Sequence, residues 1–328
     1  MPFDAFRIHR EDGRIVARVE RLTLEDLAPG GVVIRVAWSG INYKDALAAT
    51  GAGKILRKYP LVGGIDLAGI IESSSDARYK PGDAVLVTGC ELSETHDGGY
   101  AQYARVNGDW VIPMPAGLDT RSAMALGTAG FTAALAIHRM EENGQEPASG
   151  PVIVTGATGG VGSIAVDMLS ARGYEVIAVS GKQQATQYLQ SLGASRVLAR
   201  QDIKYGQQLL ESAQFAGAID NVGGDTLSWL TRSLKYGGNV ASVGMAGGAK
   251  LETNVMPFIL RAVNLLGINS SATPRELRLA VWQRVATDLA PRHLTTIVTR
   301  EVDLQGLPGA FAPYLDGAVT GRTLVRIG

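Results

Sequence analysis

The sequence predicts an α/β protein made of two parts, a β-barrel-like module and a doubly wound parallel sheet. Residues 1–125 are mostly short β-branched and aromatic segments separated by Gly, Pro and Asp turns, a pattern typical of a β-rich module. In residues 126–267, apolar strand-like runs alternate with helix-forming segments and end in glycine-rich stretches. That alternation indicates βαβ units and a parallel sheet.

The composition narrows the class of protein. The 328 residues suffice for two domains with their own cores, and 46% apolar with 19% charged residues is usual for a globular enzyme. A formal net charge of zero provides no global field for nucleic acid or an anionic membrane. The single cysteine, Cys90, excludes an intrachain disulfide and a cysteine-rich zinc site. With no signal peptide or membrane-spanning run, we expect a soluble, cytoplasmic protein.

The elements follow in order along the chain. A small-residue helix over 122–142, apolar nearly all round, is expected to be buried in the hinge region between the modules. A helix over 274–288 and a strand over 323–327 are expected to return the chain to the first module. We therefore predict domains at 1–125 and 126–267, with 268–328 completing the first. Strands of the first module are predicted at 6–9, 16–19, 32–38, 67–71, 84–88 and 101–106.

A glycine cluster marks the start of the second module. An apolar run from Val152 meets glycines at 156, 159, 160 and 162, and a helix-forming segment follows. Glycine lets a strand turn sharply into a helix, lets the backbone approach a pyrophosphate and lets the helix pack tightly. The helix N-terminus then offers N–H groups to phosphates. Because a second strand over 174–180 completes a βαβ unit, we predict a Rossmann dinucleotide-binding fold rather than a turn that merely packs.

The end of the second strand indicates which dinucleotide binds. An NAD site usually places an acid there for the ribose 2′-hydroxyl, whereas an NADP site supplies cations for the 2′-phosphate. This chain reads Ser180, Gly181, Lys182 without an acid, and Arg200 follows the third strand. Taken singly, Lys182 and Arg200 are better explained as solvated surface charges than as ligands. Together with the missing acid, they favour NADPH.

Several separated motifs resemble one enzyme family. The motifs are NYKD at 42–45, GIDLAG at 64–69, GTAGFTA at 127–133, VSGK at 179–182, VMPFILR at 255–261 and GRTLV at 321–325. Along essentially its full length, the chain is similar to the medium-chain dehydrogenase/reductase superfamily, in its zinc-independent quinone oxidoreductase-like branch. It resembles the NADPH-dependent acrylyl-CoA reductases most. This resemblance implies a GroES-like catalytic domain with a Rossmann NADPH-binding domain.

Departures from the zinc alcohol dehydrogenases of that superfamily argue against a metal. Those enzymes hold zinc with a cysteine where this chain has Asn42, and carry a histidine–glutamate pair where it has Ile65 and Asp66. The lobe with four clustered cysteines is absent, and too few ligands remain for tetrahedral zinc. The histidines, without metal-ligand spacing, are His9, His96, His138 and His293.

With NADPH and no metal, the expected reaction is hydride delivery to the β-carbon of an alkene conjugated with a carbonyl. Negative charge then develops on the carbonyl oxygen, which hydrogen-bond donors must stabilise. The resemblance places Tyr43 by the nicotinamide, to orient the ring or donate a proton directly or through water; alternatively it only shapes the pocket. Asn42 is expected to bond the thioester oxygen or the cofactor amide. Lys44 and Asp45 are expected to form an ion pair.

The resemblance also implies the remaining contacts. The pyrophosphate is expected along the first βα turn, the adenosine phosphate at the ends of the second and third strands, and the nicotinamide at the later loops. A CoA substrate is expected to use Arg57 and Lys58, or Arg261 and Arg275, for its phosphates. The cofactor residues are, in that order, Thr158, Gly159, Gly160 and Val161; Ser180, Gly181, Lys182 and Arg200; and Asn221 and Met245, with Asn269 and Ser270 closing over the ring.

Three functions stay open. The resemblance favours NADPH-dependent reduction of acrylyl-CoA to propanoyl-CoA. A quinone or a free enone is the alternative acceptor, and a non-catalytic NADPH-binding redox sensor is a minor alternative. The resemblance also implies a homodimer joined through the edges of the nucleotide-binding sheets.

Overall fold

The computed structural model describes residues 2–328, apart from the side chain of Gln183. The chain forms two compact units. Unit 1 holds the residues up to Thr128 together with Ser271–Trp282 and Leu294–Gly328, and unit 2 holds Ala129–Ser270 and Gln283–His293. The predicted domain boundaries, between residues 125 and 126 and between residues 267 and 268, stay a prediction.

A tight hairpin opens unit 1. Strand β1 (Phe3–Glu11) pairs antiparallel with β2 (Arg14–Leu22), and both residues of the connecting turn, Asp12 and Gly13, have positive φ. Such turns match the right-handed twist of the flanking strands. The elements that follow are β3 (Val32–Ile41), α1 (Tyr43–Thr50), β4 (Leu61–Val62), β5 (Asp66–Ser74), β6 (Ala84–Thr88), β7 (Tyr103–Val106) and β8 (Ile112–Pro113).

Helix α2 (Thr120–Glu142) breaks at Gly127, where φ is 52° and ψ is −154°. The sequence predicts the helix but not this break. A Cβ on Gly127 would lie 2.5 Å from Oδ2 of Asp66 and 2.8 Å from Nη2 of Arg322. Glycine is therefore required there twice, for its backbone conformation and for the space.

Unit 2 contains a six-stranded, wholly parallel sheet. The strand order is β11-β10-β9-β12-β13-β14, the doubly wound order 3-2-1-4-5-6, which confirms the predicted Rossmann fold. Its elements are β9 (Val152–Val154), α3 (Gly160–Ala171), β10 (Val176–Ser180), α4 (Thr186–Ser191), β11 (Arg196–Ala199), β12 (Phe215–Asp220), α5 (Gly224–Ser233), β13 (Leu234–Ser242), α6 (Met256–Arg261) and β14 (Asn264–Gly267).

The last elements complete the larger sheet of unit 1. They are α7 (Arg275–Val285), α8 (Leu294–Ile297), β15 (Val298–Asp303), α9 (Ala312–Leu315) and β16 (Arg322–Arg326). Strand β16 pairs antiparallel with β3, with Thr323 opposite Ile41. The seven strands run β15-β16-β3-β5-β6-β8, with β7 also on β3, while β2-β1-β4 form a separate sheet.

Each unit has an apolar core of its own. In unit 1 the rings of Phe6, Tyr100 and Phe311 pack with centroids 5.7–6.4 Å apart. In unit 2 Phe215 packs against Trp229 with ring centroids 5.6 Å apart. Among the described residues, none of the helices is both long enough and apolar enough to span a membrane.

Candidate functional site

The turn between β9 and α3 is shaped by two glycines with different constraints. A Cβ on Gly162 would lie 2.3 Å from the carbonyl oxygen of Gly156 and 2.7 Å from Cα of Ala157, so only glycine fits. A Cβ on Gly159 would meet just one atom within 4 Å, at 3.3 Å. The helix is thus packed tightly on its inner side, while its N-terminus, with unpaired N–H groups, stays approachable.

All the unit 2 residues expected to bind the cofactor follow the carboxyl ends of strands. Because the strands are parallel, these residues lie along one edge of the sheet, where ligands bind in folds of this kind. Thr158, Gly159, Gly160 and Val161 follow β9, Ser180, Gly181 and Lys182 end or follow β10, Arg200 follows β11, Asn221 follows β12, Met245 follows β13, and Asn269 and Ser270 follow β14.

A cationic residue follows each of the paired strands β10 and β11, Lys182 and Arg200 respectively. A Cβ on Gly181 would lie 3.5 Å from Cζ of Arg200, so the exposed guanidinium lies beside the Gly181 backbone. The buried Ser180 hydroxyl accepts from the backbone N–H of Lys182 at 3.0 Å. Partial burial lowers the pKa of Lys182. This corner offers a guanidinium, an ammonium and a hydroxyl, a donor set suited to a phosphate.

The loop after β12 is held by a buried carboxylate. Asp220 accepts from Oγ1 of Thr155 at 2.5 Å and from the backbone N–H of Gly223 at 2.7 Å, and burial raises its pKa. The next residue, Asn221, donates from Nδ2 to the carbonyl of Thr155 at 2.8 Å. Its Oδ1 is buried and has no hydrogen-bond partner among the residues that the structure describes. An acceptor in that state is available to a ligand N–H.

Close backbone approach joins the loops after β12 and β13. A Cβ on Gly223 would lie 2.5 Å from the carbonyl oxygen of Gly248, and one on Gly244 would lie 2.6 Å from that of Asn221. Met245 lies on the second of these loops with its side chain exposed. The glycines therefore fix this part of the carboxyl edge.

Unit 1 contains a buried polar cluster whose residues come from separate sequence motifs. Asp66 is fully buried and accepts from the backbone N–H and Oγ1 of Thr128, at 3.0 and 2.5 Å. Nδ2 of Asn42 donates to Oδ2 of Asp66 at 2.8 Å and to Oδ2 of Asp45 at 3.2 Å. Arg322 donates from Nη1 to Oδ1 of Asn42 at 3.0 Å. The cluster thus holds two carboxylates and one guanidinium.

Arg322 is the cation of this cluster. Its Nη2 lies 3.8 Å from Oδ2 of Asp66, and its other donors bond the carbonyls of Ile41 and Ala125 at 3.0 and 3.1 Å. Sequence reasoning gave no role to Asp66, Thr128 or Arg322. The available signal was that the GIDLAG, GTAGFTA and GRTLV motifs each contribute one of them.

These contacts bear on the two alternatives for Asn42. Both of its amide hydrogens go to carboxylates, and Oδ1 already accepts from Arg322. An amide oxygen has two lone pairs, so one acceptor position remains and no donor does. Asn42 therefore has an acceptor position, and no donor, left for a ligand.

Tyr43 is the first residue of α1, and 48% of it is exposed. Its hydroxyl has no hydrogen-bond partner among the described residues. The expected ion pair between Lys44 and Asp45 is wrong, because Lys44 pairs with Glu94 and Asp45 is buried. Asp45 instead accepts a hydrogen bond from the backbone N–H of Asn42, at the N-terminus of α1.

Two of the arginines expected to bind CoA phosphates are already used within the fold. Arg261 donates to the carbonyls of Arg232 and Glu211, at 2.9 and 2.7 Å. Arg275 donates to the carbonyl of Val111 at 2.6 Å and to the hydroxyl of Tyr79 at 2.7 Å. That Arg261 or Arg275 binds a CoA phosphate stays a prediction, although several of their donors are already used, whereas Arg57 and Lys58 are exposed. Within residues 2–328, no three or more His, Cys, Asp or Glu side chains are grouped to hold a metal.

Fold and donor arrangement together define a class, an oxidoreductase with a dinucleotide-binding fold. Residues 28–116 match the family model of the alcohol dehydrogenase GroES-like domain, and residues 160–287 match that of the zinc-binding dehydrogenases. The chain belongs to the medium-chain dehydrogenase/reductase superfamily. Its GroES-like and Rossmann parts confirm the predicted fold class.

Full-length relatives narrow the group. The chain is 50% identical over 318 residues to acrylyl-CoA reductase AcuI of Ruegeria pomeroyi, covering 97% of this chain and 96% of that protein. It is 48% identical over 326 residues to YhfP of Bacillus subtilis, covering 99% of both; quinone oxidoreductase is that protein's provisional name. A crystal structure of YhfP with NAD bound gives a TM-score of 0.97, covering all of both chains. The yhdH oxidoreductase of Salmonella enterica in complex with NADP, 46% identical, gives 0.96 and covers 99% of this chain and 100% of that one.

Proposed function

We propose that the chain is an NADPH-dependent reductase that converts acrylyl-CoA to propanoyl-CoA. The observation that carries this proposal is the 50% identity, over 97% of the chain, to a protein named acrylyl-CoA reductase. The phosphate-suited corner at Ser180, Lys182 and Arg200 supports the choice of NADPH. The exposed, unpartnered hydroxyl of Tyr43 supports a proton donor in unit 1.

The residues of unit 2 fit a nicotinamide dinucleotide. The approachable N-terminus of α3 would take the pyrophosphate through Thr158, Gly159, Gly160 and Val161. Ser180, Gly181, Lys182 and Arg200 would hold the 2′-phosphate. The buried, unpartnered Oδ1 of Asn221 suits the carboxamide N–H of the nicotinamide, and Met245, Asn269 and Ser270 would complete that end. Bound NADPH supplies the hydride.

The residues of unit 1 handle the proton and the acceptor. The hydroxyl of Tyr43 orients the ring or gives up a proton toward the α-carbon of the substrate, directly or through water. Asn42, with one acceptor position left, receives a cofactor amide N–H. Arg57 and Lys58, exposed in the loop after α1, pair with the CoA phosphates.

The acceptor is tested by following NADPH oxidation with acrylyl-CoA, crotonyl-CoA and a simple quinone offered separately, and again with NADH. Efficient turnover of acrylyl-CoA with NADPH supports the proposal. Faster turnover of the quinone than of the thioester rejects the acrylyl-CoA reductase proposal and supports a quinone oxidoreductase, the activity in the name of YhfP. Tight NADPH binding without turnover of any activated alkene would indicate a redox sensor.

Replacing Arg200 by Ala should raise the KM for NADPH about tenfold and leave the KM for NADH unchanged. The reason is the loss of a charge-assisted hydrogen bond, worth about 1.5 kcal/mol, to a phosphate that NADH lacks. Steady-state kinetics with both cofactors measure it. Lys204→Ala, an exposed cation close in sequence, is the matched control. Equal effects on both cofactors would contradict the assignment of Arg200.

We further propose a homodimer joined at the edge strand β14. Val255, the residue before the neighbouring helix α6, and Ile259 within that helix are 65% and 72% accessible. Leu265 of β14 itself is also exposed. Unpaired edge strands flanked by apolar side chains are surfaces that proteins usually cover. Leu265→Lys should shift the mass measured by light scattering from dimer to monomer, whereas Leu279→Lys in unit 1 should not. A wild-type monomer at micromolar concentration would reject the dimer.

A further inference from the structure

A single buried carboxylate ties the first turn of α1 to the rest of unit 1. Asp45 is 2% exposed. Its Oδ2 accepts from the backbone N–H of Asn42 at 2.8 Å and from Nδ2 of Asn42 at 3.2 Å, and its Oδ1 accepts from the backbone N–H of Ile65 at 2.9 Å. Because Ile65 immediately precedes β5, the carboxylate connects the helix N-terminus to the sheet.

Tyr43 lies between the two residues of this connection. It is the residue after Asn42 and begins α1, and its hydroxyl has no hydrogen bond to the described residues. With no anchor of its own, the phenol stands where the backbone of the first helical turn places it. That backbone is held by the carboxylate of Asp45.

We propose that Asp45 is a positioning residue for the reductase, which acts through Asn42 and the first turn of α1 to fix the location of the Tyr43 hydroxyl. The inference rests on the proposed function, since it takes Tyr43 as the group that meets substrate or cofactor. It also adds a role that the expected pairing with Lys44 had concealed.

The charged and titratable groups around Asp45 make this link sensitive to pH. Asp66 on β5 and Arg322 on β16 belong to the same cluster, and the phenols of Tyr100 and Tyr314 face it. Burial raises the pKa of both phenols, so they stay neutral near pH 7. Burial, and after it the charge of Asp66, raises the pKa of Asp45 to about 7.

Protonation of Asp45 changes its hydrogen bonding. The carboxylate accepts from three N–H donors, whereas a protonated carboxyl turns one oxygen into a donor. The protonated oxygen is a weaker acceptor, so at least one of the three hydrogen bonds weakens and the first turn of α1 loosens. We therefore expect turnover to rise with pH through about 7 as Asp45 ionises.

Asp45→Asn imitates the protonated carboxyl and should lower kcat by about tenfold to 100-fold above pH 7, since small misplacements of a reacting group have effects of this size. The rise of kcat through about pH 7 should also disappear. The Kd for NADPH should change little, because most of the proposed cofactor contacts, among them those of Ser180, Lys182 and Arg200, lie in unit 2; retained binding also shows that the variant is folded.

A spectroscopic measurement tests whether Asp45 positions Tyr43 and does not depend on enzymatic turnover. With isotope-labelled tyrosine, the ring resonance of Tyr43, assigned by its loss in Tyr43→Phe, should move as pH passes about 7 in the wild type and stay constant in Asp45→Asn. Asp97→Asn is the matched control. Asp97 is also a buried carboxylate that accepts two backbone N–H bonds, from Ala28 and Val62 at 2.7 and 2.8 Å, but it is not on α1.

The outcomes separate this inference from the proposed function. Full kcat in Asp45→Asn, or a Tyr43 resonance that still moves as pH passes about 7 in that variant, overturns the positioning role. If the wild type turns over none of the acceptors, the proposed function is overturned. The Tyr43 resonance then still decides whether Asp45 controls the position of Tyr43. Loss of the pH-dependent movement of the Tyr43 resonance in Asp97→Asn as well would also overturn the inference.

Discussion

Arg322→Met should lower the free energy of unfolding by about 3–5 kcal/mol, because it leaves buried carboxylates without their cation. Arg322 is 2% exposed, lies 3.8 Å from the carboxylate of Asp66, and bonds Asn42. Methionine fills part of the space but replaces none of the donors. Urea unfolding at neutral pH, followed by circular dichroism, measures the loss.

The control for this prediction lies on the same strand. Arg326 of β16 is exposed, so Arg326→Met should change stability by less than about 0.5 kcal/mol. The deficit of Arg322→Met should shrink as pH falls below about 7, since protonating Asp45 removes part of the uncompensated negative charge. Equal stabilities of the two variants would show that the buried guanidinium is not needed for charge balance.

Gly162→Ala should have the second largest effect, on both stability and cofactor binding. The added Cβ would lie 2.3 Å from the carbonyl of Gly156, and backbone cannot swing away as a side chain can. We expect a loss of about 1–3 kcal/mol of stability. NADPH binding should weaken about tenfold, equivalent to about 1.4 kcal/mol. Unfolding and fluorescence titration with NADPH measure the two effects.

Gly159→Ala separates packing from ligand contact. Its Cβ has room in the protein alone, so its stability should fall by less than about 1 kcal/mol, the usual range for a weaker N-cap residue. NADPH binding should still weaken, because the methyl group would occupy the approach to the helix N-terminus. Unchanged NADPH affinity in Gly159→Ala would mean that the pyrophosphate does not lie there.

Asp45 affects stability in the sense opposite to its expected effect on turnover. Its pKa in the folded protein, about 7, is above its ordinary value of 3.8. Its contribution to folding is therefore fully present below pH 3.8 and is lost as pH rises to about 7. The ionised form that is proposed to hold Tyr43 is thus the form that folding disfavours.

The Rossmann part of the fold is predictable because its signals are local. The glycines from Gly156 to Gly162 follow a β-branched run directly, and Ser180 and Arg200 each follow a strand. Parallel pairing then brings the strand ends to one edge without further information. Within unit 2, order in sequence largely determines position in space.

The buried cluster of unit 1 has no comparable local signal. Asn42, Asp66 and Arg322 are far apart in the chain. The pairing of β3 with β5 brings Asp66 near Asn42, and the pairing of β16 with β3 brings in Arg322. The partner of Lys44 is Glu94, fifty residues away, whereas sequence proximity favoured Asp45. The break at Gly127 was missed because a glycine among alanines and leucines does not by itself end a helix.

The pairing of β3 with β16 has a consequence for synthesis on the ribosome. Ile41 emerges early, and its partner Thr323 emerges only after roughly 280 further residues, a separation that slows closure of the sheet. Throughout that interval the nascent chain carries Asn42 and Asp66 without Arg322. We therefore expect the incomplete unit 1 to depend on chaperones during translation, while most of unit 2, Ala129–Ser270, is already out and able to fold.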